Sequence, residues 1–241
     1  MRYIRDNTPP EALVRCLALR RGSGQALDYD EVGQVDVDGK MVSVKEEIRK
    51  DRISDQGAIC AYTMMRIDPG TCHNEHVVPR TISKNEGRTE ETLEYRNIVA
   101  CYPKREAKGG CGFGAAKRGD LPLAMTPFDP ACEERLRFDR VSGRVKPVNP
   151  DDDGLCKMID DVLVLNHTTL IARRLAAFDM AGVGTESQKP LSASKARDLA
   201  KSVMEFRRGS KLSPYCVAIA QAALAHASLV EKRAQRFKSQ R

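Results

Sequence analysis

Four consecutive residues, His73-Asn74-Glu75-His76, place two imidazoles and a carboxylate within reach of one another, and Val77-Val78-Pro79 follows at once. Hydrolysis of a phosphodiester needs a base to deprotonate water and a cation to offset charge on the transition-state oxygens. Histidine accepts a proton near pH 7 because its reference pKa is about 6.5, and His76 is the candidate base. A carboxylate is a hard oxygen ligand suited to Mg²⁺ or Mn²⁺, a role open to Glu75. Asn97 lies in a separate apolar run, Tyr95-Arg96-Asn97-Ile98-Val99. Its amide can tie the base-bearing loop to the backbone and so fix the imidazole. Pro79 holds the chain as it leaves the site.

Four cysteines bracket this segment, Cys60 and Cys72 before it and Cys101 and Cys111 after it, while Cys16, Cys132, Cys156 and Cys216 are scattered. Four thiolates from two flanks can hold tetrahedral Zn²⁺ and staple a module too small to pack alone. No pair has Cys-x-x-Cys spacing, since Thr63 stands three past Cys60. A ligand set with His73 in place of Cys72 stays open. His167 and His226 read as structural histidines.

The bulk of the chain sets wide bounds. At 241 residues it holds one large domain or two small ones, with ordinary apolar and charged content. Its net charge of +7 suits a polyanionic partner without requiring one. No apolar run is long enough to span a membrane, and no apolar leader follows Met1. The cytoplasm is the expected compartment, where cysteines are thiols or metal ligands.

The positioning elements follow from pattern. Thr8-Pro9-Pro10-Glu11 predicts a capped helix carrying Leu13, Val14, Leu17 and Leu19, stopped at Arg21-Gly22-Ser23-Gly24. The polar stretch around Gly33 and Gly39 carries no predicted element. Val44 to Ile53 predicts a second helix ending near Gln56-Gly57. Residues 58–122 lack a long helical period and fit a small metal-held α+β module. Strands are expected at Arg135–Asp139 and Arg144–Val148 around a Ser142-Gly143 turn. Leu170, Ile171, Leu175 and Phe178 mark a helix; others are expected from Ser192 to about Phe206 and from Pro214 to Phe237. The last ends in a basic run, read either as a solvated terminus or as a phosphate-contacting tail.

Taken together, Ser54-Asp55-Gln56-Gly57-Ala58-Ile59-Cys60-Ala61-Tyr62, then Cys72-His73-x-Glu75-His76, then Tyr95-Arg96-Asn97-Ile98-Val99-Ala100-Cys101 resemble the PtuB HNH endonucleases of Septu and retron anti-phage systems. Cys111-Gly112-Phe113-Gly114-Ala115-x-Lys117, Cys132-Glu133-x-Arg135-x-Arg137-Phe138 and Leu163-x-Leu165-Asn166 add to the likeness, which spans roughly residues 1 to 180. The resemblance implies an α+β fold: a zinc-stapled ββα-metal (HNH) nuclease module at 57–122, between mainly α-helical regions at 1–56 and 123–241. The N-terminal region would dock a partner.

The resemblance further implies His76 as general base, Glu75 as metal ligand and Asn97 as framework residue. Mg²⁺ or Mn²⁺ is the implied catalytic ion, and Zn²⁺ the structural one. Many relatives carry a second cysteine where this chain has Thr63, so Cys72 is taken as its substitute beside Cys60, Cys101 and Cys111. The third HNH ligand comes from a helix that here, at Gly112–Asp120, offers neither His nor Asn. His73 or Asp120 then fills the shell, and Arg80, Lys117 and Arg118 contact substrate phosphates. The implied partners are a PtuA-type ABC/SMC-like ATPase, a retron reverse transcriptase with its RNA–DNA product, and a DNA or RNA substrate. A competing reading is an inert zinc-held scaffold that binds nucleic acid or protein without turnover. The helices outside the module are expected to carry more apolar surface than it can cover, the surplus docking on the ATPase.

Overall fold

Proline and serine set where the first helices begin. In the structure, a computed structural model describing residues 1–5, 8–104 and 110–239 with the side chains of 237–239 excepted, α1 (Glu11–Gly22) starts after an extended Pro10. The Pro10 carbonyl accepts from the Leu13 and Val14 amides at 2.9 and 3.2 Å. Thr8 stands outside the first turn and does not cap it, because the two prolines delay the helix. By contrast α2 (Val44–Asp55) is capped as its sequence suggests, the Ser43 hydroxyl accepting from the Glu46 amide at 3.4 Å.

The glycine-bearing stretch between them forms a hairpin, β1 (Gln34–Val37) with β2 (Lys40–Ser43), Val35 facing Val42. Its two-residue turn is Asp38 (φ 53°) and Gly39 (φ 79°), both left-handed as a turn matching strand twist requires.

β3 (His73–His76) pairs antiparallel with β4 (Ile98–Cys101), His73 opposite Cys101 and Glu75 opposite Val99. The outer edge of β4 is covered by one side chain. Gln56 donates from Nε2 to the Ile59 and Ala100 carbonyls and accepts the Ala100 amide at Oε1, each at 2.8 Å. Two short helices follow the strands, α3 (Arg80–Asn85) after β3 and α4 (Ala115–Arg118) after β4.

β5 (Leu136–Phe138) and β6 (Val145–Pro147) form the expected hairpin. The Asp139 carboxylate accepts from the Val141 and Ser142 amides and the Ser142 hydroxyl, closing the turn. Helices α5 (Asp153–Lys157), α6 (Thr168–Met180), α7 (Ala193–Ser202) and α8 (Cys216–Ser239) complete the chain. Of these, α7 stops four residues before Phe206. The described residues are thus α+β, with eight α-helices and three two-stranded antiparallel sheets.

Two hydrophobic clusters hold these elements. Leu13, Val35, Val44 and Ile48 pack with Leu93, Tyr95 and Ile98. Ile59, Tyr62, Val99 and Ala100 share the larger cluster with Leu136, Leu170, Phe178, Ala218 and Ala222. Neither cluster stops at residue 56 or 122, so the three expected regions share cores. The link before α8 docks directly on the segment leading to Cys60: the Leu212 amide donates to Gly57 O at 3.0 Å and the Tyr215 amide to Met64 O at 3.1 Å. A Cβ on Gly57 (φ +63°) would meet Leu212 Cγ at 2.7 Å. Much of the apolar surface of these helices is covered within the chain, as at Leu13 of α1 and Val217, Ala218, Ala222 and Ala227 of α8, while Val14 and Leu19 of α1, Met180 of α6 and Leu224 of α8 stay exposed. Among the described residues no helix is long and apolar enough to cross a membrane.

Candidate active site

Strand alternation sorts the His73–His76 tetrad onto two faces. On one, His73 Nε2 lies 3.2 Å from Glu75 Oε2, while His73 Nδ1 contacts the Pro103 carbonyl at 2.5 Å. A carbonyl only accepts, so Nδ1 carries hydrogen. In the neutral ring the Nε2 lone pair then faces a carboxylate oxygen, an arrangement that calls for a proton or a cation between them.

On the other face lies Tyr29. Its hydroxyl accepts from Asn74 Nδ2 at 2.8 Å, and its ring meets His76 edge-on at 4.6 Å. His76 Nε2 is 2.9 Å from the Thr92 carbonyl. The proton must therefore sit on Nε2, which leaves the basic lone pair of the neutral imidazole at Nδ1.

Asn97 does what its amide suggested. Its Oδ1 accepts the Val78 amide at 2.6 Å, and its Nδ2 donates to Val78 O at 3.2 Å and Glu91 O at 3.1 Å. The Val77 amide adds a bond to Asn97 O at 2.8 Å. The two residues after His76 are thus locked to Asn97, just before β4, and the exit of β3 has one course.

Arg118, read from sequence as a phosphate contact, is buried instead. Its guanidinium donates to Glu75 Oε1 at 3.0 Å, to the Tyr62 hydroxyl at 3.0 Å and to the His76 carbonyl at 2.7 Å. It also donates to the Val77 and Leu121 carbonyls. At 1% exposure nothing is left of it to meet a substrate. What it does is hold the Glu75 carboxylate and the β3 exit from the α4 side. Sequence offered no signal for this, since burial of an arginine is set by the tertiary fold alone.

The tetrad opens on a cleft of about 570 Å³ lined by His73, Glu75, His76, Pro79, Arg80 and Lys84, with Asp30 and Asp120 at its margin. Lys117 is exposed and outside this lining. Sequence reading overlooked Lys84, which stands four residues past Arg80 on α3, and Tyr29.

Of the four bracketing cysteines, Cys60, Cys72 and Cys101 are buried and Cys111 is half-buried. Cys60 and Cys101 hydrogen-bond to each other. Burial pushes the Cys60 thiol up, but bonds from Cys101, the Thr63 hydroxyl and the Thr63 and Tyr102 amides outweigh it and bring it down to about 6. Cys111 turns its Sγ to the Phe113 carbonyl at 3.3 Å. Cys72 is fully buried, and that burial drives its thiol up to about 12. Thr63 stands beside Cys60, its hydroxyl bonded to that thiol. Among the described residues, no three His, Cys, Asp or Glu side chains stand together as a metal-holding group. The zinc set expected from the sequence is therefore not shown among the described residues. The other histidines are structural: His167 caps α6 by accepting the Thr169 amide at 3.3 Å, and His226 bonds the Leu191 carbonyl at 2.8 Å.

No family model matches the chain, and no curated protein matches it.

Proposed function

We propose that this chain is a metal-dependent HNH endonuclease subunit hydrolysing nucleic-acid phosphodiester bonds. The observation that carries the reading is the fixed tautomer of His76. Its Nε2 is committed to the Thr92 carbonyl at 2.9 Å, on a strand exit clamped by Asn97. A base held this way keeps its proton-accepting nitrogen at Nδ1. The order β3, β4, α4 agrees with a ββα-metal module in which Asn97 is the framework residue.

His73 and Glu75 are the residues that would hold a divalent ion. The bond from His73 Nδ1 to the Pro103 carbonyl is one that a metal-ligating imidazole makes with its other nitrogen. Such an ion supplies charge stabilisation to the phosphoryl oxygens. An imidazole in the set favours Mn²⁺ over Mg²⁺. His76 Nδ1 takes the proton of the attacking water. Arg118 keeps Glu75 oriented from the far side. Arg80 and Lys84 meet the polyanion at the cleft rim.

The resemblance to PtuB extends the proposal to a role as effector of a Septu or retron anti-phage system. There the chain would act in the cytoplasm with a PtuA-type ATPase and, in retron form, a reverse transcriptase and its RNA–DNA product. One observation favours the alternative of an inert scaffold. Arg118 already occupies the Oε1 side of Glu75, leaving Oε2 alone to face His73.

The test is cleavage of plasmid DNA and bulk tRNA by this chain with its ATPase partner, in Mn²⁺ and in Mg²⁺. We expect cleavage that is faster in Mn²⁺, abolished by EDTA and reduced about 10²–10⁴-fold in His76→Ala. Equal cleavage by the variant would remove His76 from the mechanism. Binding without cutting in either metal would leave the scaffold.

A further inference from the structure

The rim of the cleft carries a feature that general chemistry of the site does not require. Arg80 and Lys84 lie one turn apart on α3 and so share a face. Both are engaged by the short turn Tyr29–Glu31. Asp30 takes Arg80 on Oδ1 and, at 2.8 Å, Lys84 on Oδ2; Asp28 Oδ2 adds a second bond to Lys84 at 2.6 Å. A carboxylate that spreads its two oxygens over two cations imitates the two non-bridging oxygens of a phosphodiester.

We propose that Arg80 and Lys84 form a subsite for a backbone phosphate of nucleic acid, and that Asp30 is a built-in competitor which the phosphate displaces. The proposal rests on the nuclease reading for its placement next to His76, but its test does not need turnover.

Three observations carry it. The subsite opens into the same cleft as His73, Glu75 and His76. The pairs are water-exposed, with Asp30 at 50%, Lys84 at 34% and Arg80 at 23% of side-chain surface. Exposed ion pairs contribute little, so Asp30 exchanges for a phosphate at small cost. Finally, the turn itself is anchored and cannot act as a lid. The Tyr29 amide donates to Thr92 Oγ1 at 3.0 Å, its hydroxyl is bonded to Asn74, and its ring is buried against His76. Only the Asp30 side chain is free to swing. Asp28 is not equivalent, because its Oδ1 also accepts the Asp30 amide at 2.9 Å and shapes the turn. Substitution at Asp30 therefore isolates the competitor.

The experiment is fluorescence anisotropy of a labelled 20-base-pair DNA duplex and of labelled tRNA with the full chain in EDTA, over a KCl series. Asp30→Asn, an isosteric change at an exposed site, should bind about fivefold tighter. Lys84→Met and Arg80→Gln should bind more weakly, each with a log–log salt slope shallower by about one. In the triple variant with Asp30→Asn, Arg80→Gln and Lys84→Met, the gain from Asp30→Asn should vanish. Unchanged affinity in Asp30→Asn overturns the competitor. A gain that survives in the triple variant overturns the subsite, since it would then be a general loss of negative charge. Asp30→Glu serves as a second, charge-preserving control and should bind like the parent chain; a gain there also counts against the proposal. A chain that shows these binding effects yet never cuts would fail as a nuclease while keeping the subsite.

Discussion

The floor and the rim of the cleft are held by opposite means. At the floor Asn97 is 5% exposed and spends its whole amide on the strand exit after His76. Arg118, still more buried, spends its guanidinium on Glu75 and three backbone carbonyls. At the rim Arg80 and Lys84 meet carboxylates that water can replace, Arg80 lying also over the Tyr29 ring at 5.5 Å. On the proposed nuclease reading, the difference separates two tasks. A proton-transferring group needs one geometry, so it is fixed by buried hydrogen bonds whose loss is costly. A polyanion-binding group needs reach and exchange, so it is left in weak surface pairs.

That contrast can be broken or sharpened by substitution. The largest effect is expected at Arg118. Arg118→Met removes the cation from a buried pair and strands Glu75, which should cost about 3–5 kcal/mol of stability. A urea midpoint within error of the parent would mean that the floor is not held from α4. Asn97→Ala should cost about 1–3 kcal/mol, because the Val78 amide loses its partner. Asn97→Asp keeps that acceptor and loses both donors. It should recover part of the stability while leaving cleavage impaired, and full recovery of both would reduce Asn97 to a spacer. The smallest effect is expected at Cys111, whose thiol bonds only a nearby carbonyl. Cys111→Ser should shift stability by less than about 0.5 kcal/mol. A loss of several kcal/mol accompanied by loss of bound zinc would restore the four-cysteine set.

How far the sequence could be read depended on whether a feature was local. The Ser43 cap, the Asp139-Gly143 turn and the clamp by Asn97 all follow from side chains acting within their own segment or on a predictable strand neighbour. The β1–β2 hairpin was legible too, since Asp38-Gly39 stands between Val35 and Val42 in the alternation a hairpin needs. The polar residues around it obscured that signal. Thr8 failed as a cap because Pro9 and Pro10 postponed the helix. Arg118, Tyr29 and Asp30 act across tens of residues on partners that only the tertiary fold supplies. The cysteine bracket is a different case: linear spacing does not say which way a thiol turns.

The docking of the link before α8 onto Gly57 and Met64 has a practical meaning. A cut in that link, far from the cleft in sequence, would loosen the segment that carries Cys60 and backs β4. On the proposed nuclease reading, the floor of the cleft is therefore not a cassette that can be excised at residue 122 and moved to another protein. Limited proteolysis between α7 and α8 should silence it as surely as damage to β3.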